Sequence, residues 1–532
     1  MARLEASVVG KNIFTYVPKG NNSYTQKDIS QYLKKFKLCD ALRLIGEASF
    51  NVFKHTEGTF VYKGIPITLG ILAYLSMHLV EDSNDYRSSD MSEDDLLVAI
   101  DMYYGLADPF MANNENPLGC LLRAGASQFD YDRELRYTIP RTLVLYQQVW
   151  NQLEECENLN ISEALQNMTG LSLNELLVLS FVFFSTAPKG YLQIIENLEQ
   201  FPEPLQEILT PEKQQAFLDW ISCSYQDFRV LSRAEAPPAE EYEHFRFNPL
   251  YVKPAITPDR SPKQGIGPVY ITPVPTLVNY RVTNGLYFAL SDYFRELTGT
   301  RAFRGAFGYA FQTYVGILLK QAFGEENVIP EWEYVHKRNR KNTPDWIVIC
   351  GSKAVVMEIK QSGLFLPAKL WANEEDIRKN LKDNVGKGAL QMCKFKDDLD
   401  KGVCEVPEAL KGIEIVERMV VTFDRSYFLN SIMRDEIRQV YPELPSNYHW
   451  HTIAVEELEY LLGSTGPNFI NFLEAKRSNA EHDKMDFRDY QSYARAKDGS
   501  TNRLKNAYLD SVFESFFSDL GLEQLADKIP EL

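Results

Sequence analysis

Apolar residues recur at three- and four-residue spacing through three stretches of the N-terminal half: PITLGILAYLSMHLV, SEDDLLVAIDMYYGLA and PRTLVLYQQVWNQL. That period places one apolar face on a helix, so residues 1–232 are expected to be mainly helical. Pro66 and Pro140 suit a first helical position, where no N–H is needed. Ser92 ahead of Glu93, Asp94 and Asp95 suits a helix start, because side-chain oxygens and negative charge satisfy the unpaired N–H groups there. In ISEALQNMTGLSLNELLVLSFVFF, residues 161–184, Gly170 fits a C-cap and Ser172 with Glu175 fits a capping box. These two helices superficially resemble a helix-turn-helix. The second is almost entirely apolar after Glu175, however, and a recognition helix must offer polar side chains to base edges. It is therefore expected to be buried core.

RAEAPPAEEYEHF, residues 233–245, has no apolar period and reads as a linker. The proline- and glycine-dense stretch after it suggests extended segments leading into a new domain. From about residue 278 the pattern becomes helix, helix, three strands, helix, strand. Phe303, Phe307, Phe311, Tyr314 and Leu318 share one helical face. WEYVHK, DWIVIC and AVVMEIK are short β-rich runs. Ile377, Leu381, Val385, Ala389, Met392 and Leu399 return to helical spacing, ERMVVTFD is a further strand, and HWHTIAV adds another. The last seventy residues look helical. The expectation is a multidomain chain: a mainly α-helical N-terminal domain over 1–232, a linker over 233–245, an α/β domain with a mixed sheet flanked by helices over 246–462, and a C-terminal helical segment over 463–532.

Composition bounds the function classes. A chain of 532 residues exceeds what one hydrophobic core usually organises. Hydrophobic content of 45% with 24% charged residues is ordinary for a soluble globular protein. The N-terminus shows no basic region followed by an apolar run, and the longest mainly apolar stretch, Leu176 to Phe184, is far short of the roughly twenty residues a membrane span needs. A cytoplasmic protein with no membrane partner is expected. The seven cysteines are scattered, with no CxxC pair and no zinc-ligand spacing, and read as buried thiols.

Net charge is -17, which on its own disfavours a nucleic-acid partner. The distribution changes that picture. Residues 1–240 hold 19 Lys+Arg against 32 Asp+Glu, whereas 333–401 hold 14 against 10. The acidic half is expected to bind a partner protein or a second copy of the chain rather than DNA. The basic region surrounds KNTPDWIVICGSKAVVMEIKQS, residues 341–362. There Gly351-Ser352 fits a two-residue type II′ hairpin turn. In that register Cys350 faces Lys353 and Asp345 falls opposite Glu358, on one face and about 5 Å apart. Lys360, two residues on, shares the face. Two adjacent carboxylates repel one another unless a cation or proton intervenes. Oxygen ligands suit Mg²⁺ or Mn²⁺, and an ion there could activate water against a phosphodiester, with Lys360 stabilising the developing charge.

Pro344-Asp345, twelve residues, then Glu358-Ile359-Lys360 resembles the signature of the PD-(D/E)XK, or restriction-endonuclease-like, nuclease superfamily. The resemblance covers about a quarter of the chain, residues 301–424. It implies a restriction-endonuclease-like core, with Asp345, Glu358 and the Ile359 carbonyl holding Mg²⁺ or Mn²⁺ and Lys360 assisting catalysis. Lys387-Gly-Ala-Leu-Gln391-Met-Cys-Lys394-Phe395 is similar to the Gln-xxx-Tyr helix of the RecB-like branch, with Phe395 in place of tyrosine. This implies that Gln391 faces substrate or nucleophile. Many relatives carry a glutamate where Gln312 stands, a departure that leaves Glu333 as the substitute acid. The implied function is a metal-dependent DNA endonuclease resembling those of bacterial anti-phage defence. The rivals are a nuclease-like fold kept as a non-cleaving nucleic-acid-binding or assembly module, and action on RNA.

His336-Lys337-Arg338-Asn339-Arg340-Lys341 precedes Asp345 and is either a phosphate-backbone contact or an exposed hairpin tip. Lys387 and Lys394 join Lys337, Arg338, Arg340 and Lys341 as candidate nucleic-acid contacts. His449 and His451 flank Trp450 at strand spacing. With no carboxylate or cysteine at ligand spacing, they read as ordinary strand histidines.

Overall fold

The computed structural model describes residues 4–5, 15–16, 24–54, 59–106, 135–234, 246–259, 269–336, 338–361, 374–425, 430–498 and 505–522. Most of the predicted helices form. Ser92 and Ser172 each close a capping box, with Asp95 and Glu175, and Gly170 ends its helix at φ 72°. Leu173–Ser185 is buried from Leu176 to Phe184, as its apolar run requires. No single helix among the described residues is long and apolar enough to cross a membrane.

Two proline placements differ from expectation. Pro66 sits in a strand, Ile65–Thr68, paired opposite Val61, and the helix begins only at Leu69 with Thr68 as its cap. A two-stranded ribbon tolerates a residue without an N–H at its edge. Pro140 lies inside the helix Leu135–Leu143, where it removes an i→i−4 bond, and the helix widens into a π-turn over Val144–Val149. The helix Tyr225–Ala234 runs into the start of the expected linker, and 235–245 fall outside the described residues.

The chain carries a mixed five-stranded sheet. Helix α1 (Ala302–Phe323) precedes strands β1 (Val328–Pro330), β2 (Trp346–Cys350) and β3 (Lys353–Lys360). Helix α2 (Lys387–Asp400), strands β4 (Glu414–Thr422) and β5 (His451–Ala454), and helices α3 (Val455–Thr465) and α4 (Phe469–Arg477) follow. The sheet order is β5-β4-β3-β2-β1; β1, β2 and β3 pair antiparallel, while β4 and β5 add in parallel. WEYVHK is not a strand of this sheet. Its residues Glu333–His336 pair instead with Asn339–Asn342 in a separate ribbon, and Val328–Pro330 takes the place beside β2. The expected face of α1 is buried in full, from Phe303 to Leu318. Gly316 lets Trp346 lie against that helix: a Cβ there would stand 2.1 Å from the indole.

Core membership crosses the expected boundaries. One apolar cluster joins residues 29–102 to Tyr225, Phe228 and Leu277. A second runs from Tyr137 and Leu179 through Phe311 to Phe517, and includes Val355, Met357, Met419 and Val421 from one face of the sheet. The helices of 135–221 and the helix Ala507–Ser518 therefore share a core with the sheet. A buried ion pair ties them: Arg141 donates from Nε and Nη2 to the two Glu459 oxygens, at 2.7 and 2.5 Å, and Tyr314 OH donates to Glu459 at 2.6 Å. The opposite face of the sheet, with Ile347, Val356 and Val420, packs on Ala389, Met392 and Phe395 of α2.

Candidate active site

The Gly351-Ser352 loop sets the hairpin register. Gly351 has φ +64°, Cys350 pairs with Lys353 and Trp346 with Met357. One step past the ladder, Asp345 stands opposite Glu358. Asp345 Oδ2 accepts the Ile359 N–H at 2.6 Å, which fixes the carboxylate against β3. Strand geometry turns the Ile359 carbonyl toward the same edge, because N–H and C=O of one strand residue point the same way. Glu358 is buried, and its Oε1 accepts from Lys360 Nζ at 2.7 Å. Lys360 also donates to Gln391 Oε1 at 3.2 Å. Gln391 reaches it because α2 comes in closely at Gly388, where a Cβ would lie 3.1 Å from Glu358 Cγ and 3.3 Å from Lys360 Cε.

The acid that stands beside Asp345 is Glu331 rather than Glu333. Trp346 pairs with Pro330 in the β1–β2 ladder, so Asp345 falls opposite Glu331 on its other side, and Glu331 N donates to Asp345 O at 3.0 Å. Glu331, Asp345 and Glu358 thus stand at one level across three neighbouring strands, and residues directly opposite share a face. Gln312 Nε2 donates to Glu331 at 3.2 Å and Asn342 Nδ2 at 3.1 Å. Gln312 therefore positions an acid instead of replacing one. Glu333 is exposed on the ribbon and faces Arg340 at 3.4 Å.

Burial and then the Glu358 charge push Asp345 up to about 7, and Glu331 adds to the effect. Burial likewise raises Glu358, opposed by Lys360. These carboxylates are crowded, and Lys360 offsets only part of their burial and mutual repulsion. Asp345 spends Oδ2 on Ile359 and Glu358 spends Oε1 on Lys360, so each keeps an oxygen to offer a cation. The donor set, all oxygen, fits Mg²⁺ or Mn²⁺.

The crowding has a sign. An acid whose pKa is higher in the folded than in the unfolded state stabilises the fold while protonated. That contribution is complete below about pH 4 and is lost as pH rises toward about 7. Asp345→Asn is therefore expected to melt higher than the unsubstituted chain at pH 8 in EDTA, with the gap closing by pH 4–5, and only the unsubstituted chain should gain stability from Mg²⁺. Thermal melts at both pH values, with and without the ion, check this. A lower melting temperature for the variant at pH 8 in EDTA would contradict it.

The basic run divides. Lys341 Nζ donates to Asp398 at 2.6 Å, where Tyr334 OH and His336 also converge, so it fastens the ribbon to α2 instead of standing free for phosphate. Arg338, at φ +69°, and Arg340 are exposed on the ribbon. Lys337 lies outside the described residues. Lys387 and Lys394 are exposed on α2 at a spacing that shares a face with Gln391, and the Lys387 charge reaches Glu358. No protein-family model matches the chain, no curated protein matches its sequence, and no solved structure matches its fold.

Proposed function

We propose that the chain is a divalent-metal-dependent endonuclease that hydrolyses DNA, built on a restriction-endonuclease-like core. The observation that carries this is the row Glu331–Asp345–Glu358 with Lys360 held beside it. When bound, a divalent cation supplies neutralisation of phosphate charge and acidification of water. The chain's own residues do the rest. Glu331, Asp345 and Glu358 hold the cation's charge at one level of the sheet. Glu358 and Gln391 fix the Lys360 ammonium in advance, so that no reorganisation is needed when charge develops on the phosphate. Arg338, Arg340, Lys387 and Lys394 offer exposed cations for the flanking backbone, contacts that position DNA without reading its sequence. The defence role rests on the resemblance alone.

Supercoiled plasmid incubated with the purified chain, in Mg²⁺ or EDTA, tests the proposal. Metal-dependent nicking that disappears in Lys360→Ala and Asp345→Ala is expected. Nicking that survives both substitutions overturns the site. No nicking of plasmid, alongside cleavage of RNA, overturns the substrate, and silence on both points to the non-cleaving module.

A further inference from the structure

On the opposite face of the sheet from Glu358, a second cluster has no part in this chemistry. The β3–β4 ladder shifts register after Ala354, which leaves Val416 unpaired and puts Glu417 on the face of Met419 and Val421. His451 pairs opposite Met419 on β5, and His449, just ahead of the strand, has its ring centroid 4.7 Å from that of His451. The two imidazoles and the carboxylate thus meet at the sheet's parallel edge, beneath α4 and the helix Ala480–Lys484. His451 Nε2 is 3.4 Å from Glu417 Oε2, and His449 Nδ1 is 4.0 Å from the same oxygen. All three ligand atoms lie within 4.8 Å of one another. Glu417 and His451 are fully buried.

Both Glu417 oxygens, both His451 ring nitrogens and His449 Nδ1 are buried without a hydrogen bond. Buried polar atoms are almost always paired, and with Arg477 answering only Glu417 Oε1, four orphans in one cluster call for an occupant. A single proton shared between Glu417 and His451 would satisfy two of them and leave two. Arg477 Nε lies 3.2 Å from Glu417 Oε1 and supplies charge there, leaving Oε2 to face the histidines.

We infer that Glu417, His449 and His451 form a buried Zn²⁺ site that staples β4 to β5. Ligand bonds of about 2.0–2.2 Å at tetrahedral angles put neighbouring ligand atoms about 3.3–3.6 Å apart; the His451–Glu417 pair at 3.4 Å already meets this, and His449 at 4.0 Å needs to move in by about half an ångström. Two imidazoles and one carboxylate suit Zn²⁺ far better than Mg²⁺, which takes an all-oxygen set. Asp483 stands behind the site. Its Oδ1 is 2.7 Å from His449 Nε2, and Arg434 donates to its Oδ2 at 2.6 Å. A carboxylate there holds the ring proton on Nε2 and leaves the Nδ1 lone pair for the metal, as the partners of metal-bound histidines commonly do.

The test uses the full untagged chain, stripped with chelator, reloaded with Zn²⁺, dialysed in excess Mg²⁺ and analysed for metal. About one Zn²⁺ per chain is expected. It should persist in Asp345→Asn, vanish in Glu417→Gln and His451→Gln, and bind about 10- to 100-fold more weakly in Asp483→Asn, which acts through His449. Co²⁺ added to the stripped, unsubstituted chain should give the visible absorption of a low-coordinate ion, displaced by Zn²⁺. That reading decides the matter even if the variants do not fold. A folded chain that retains no Zn²⁺ and gives no Co²⁺ spectrum overturns the site, as does a His451→Gln variant with unchanged stoichiometry and affinity.

Discussion

Glu358→Gln is expected to lower metal-dependent nicking by about a thousandfold while leaving the fold intact. The amide keeps the shape of the side chain and can still accept from Lys360, whose ammonium lies 2.7 Å from Glu358 Oε1. What it removes is a buried negative charge from the Glu331–Asp345–Glu358 row, where the proposed cation would sit. Metal-ion stabilisation of a phosphoryl transition state is worth several kcal/mol, and about 1.4 kcal/mol is tenfold in rate. Glu331→Gln makes the graded comparison. Glu331 is only half buried, and both its oxygens already accept from the amides of Gln312 and Asn342. A loss of about 10- to 100-fold, largely recovered at high Mg²⁺, is the expected outcome for a residue that tunes affinity from beside the main ligands. Initial nicking rates across a Mg²⁺ titration, with melting curves as the control for folding, separate the two variants. An unchanged rate for folded Glu358→Gln would remove this pocket from the chemistry.

The difference between Glu331 and Glu333 shows what sequence pattern can carry. The Asp345–Glu358 pairing was legible because a two-residue loop with glycine first permits one register, and Gly351 adopts the positive φ that the loop demands. Which strand lies on the other side of β2 was not legible. WEYVHK is longer than VIP and has three β-branched or aromatic residues to its two, yet VIP makes the ladder and WEYVHK turns back on Asn339–Asn342. Composition measures fitness for a strand and is silent on its partner. The same limit hid Glu417. It lies far from His449 in sequence, with the helix Ile432–Val440 between them, and only the parallel β4–β5 pairing makes them neighbours. Periodicity likewise announced the helices of 135–221 without saying against which core their faces would close.

That shared core yields the second large effect, on stability. Arg141→Leu is expected to cost about 3–5 kcal/mol, because it strands Glu459 as an uncompensated buried charge. Glu459 is wholly inside, gripped by both arms of the Arg141 fork and by Tyr314 OH. Adding Glu459→Leu to Arg141→Leu should return much of the loss, since replacing a buried pair by apolar groups is often neutral. The pair also bridges sequence-distant parts: Arg141 on the helix Leu135–Leu143, Tyr314 on α1 and Glu459 on α3. If 135–221 closes on the sheet's own core, loosening this contact must lower the opening free energy of both together. Hydrogen exchange on Arg141→Leu should therefore show amides of Leu135–Leu143 and of β3 losing protection in step. Loss confined to the helices, with β3 as protected as before, would mean that the N-terminal helices open as a unit of their own. The acidic half of the chain could then move independently of the candidate active site.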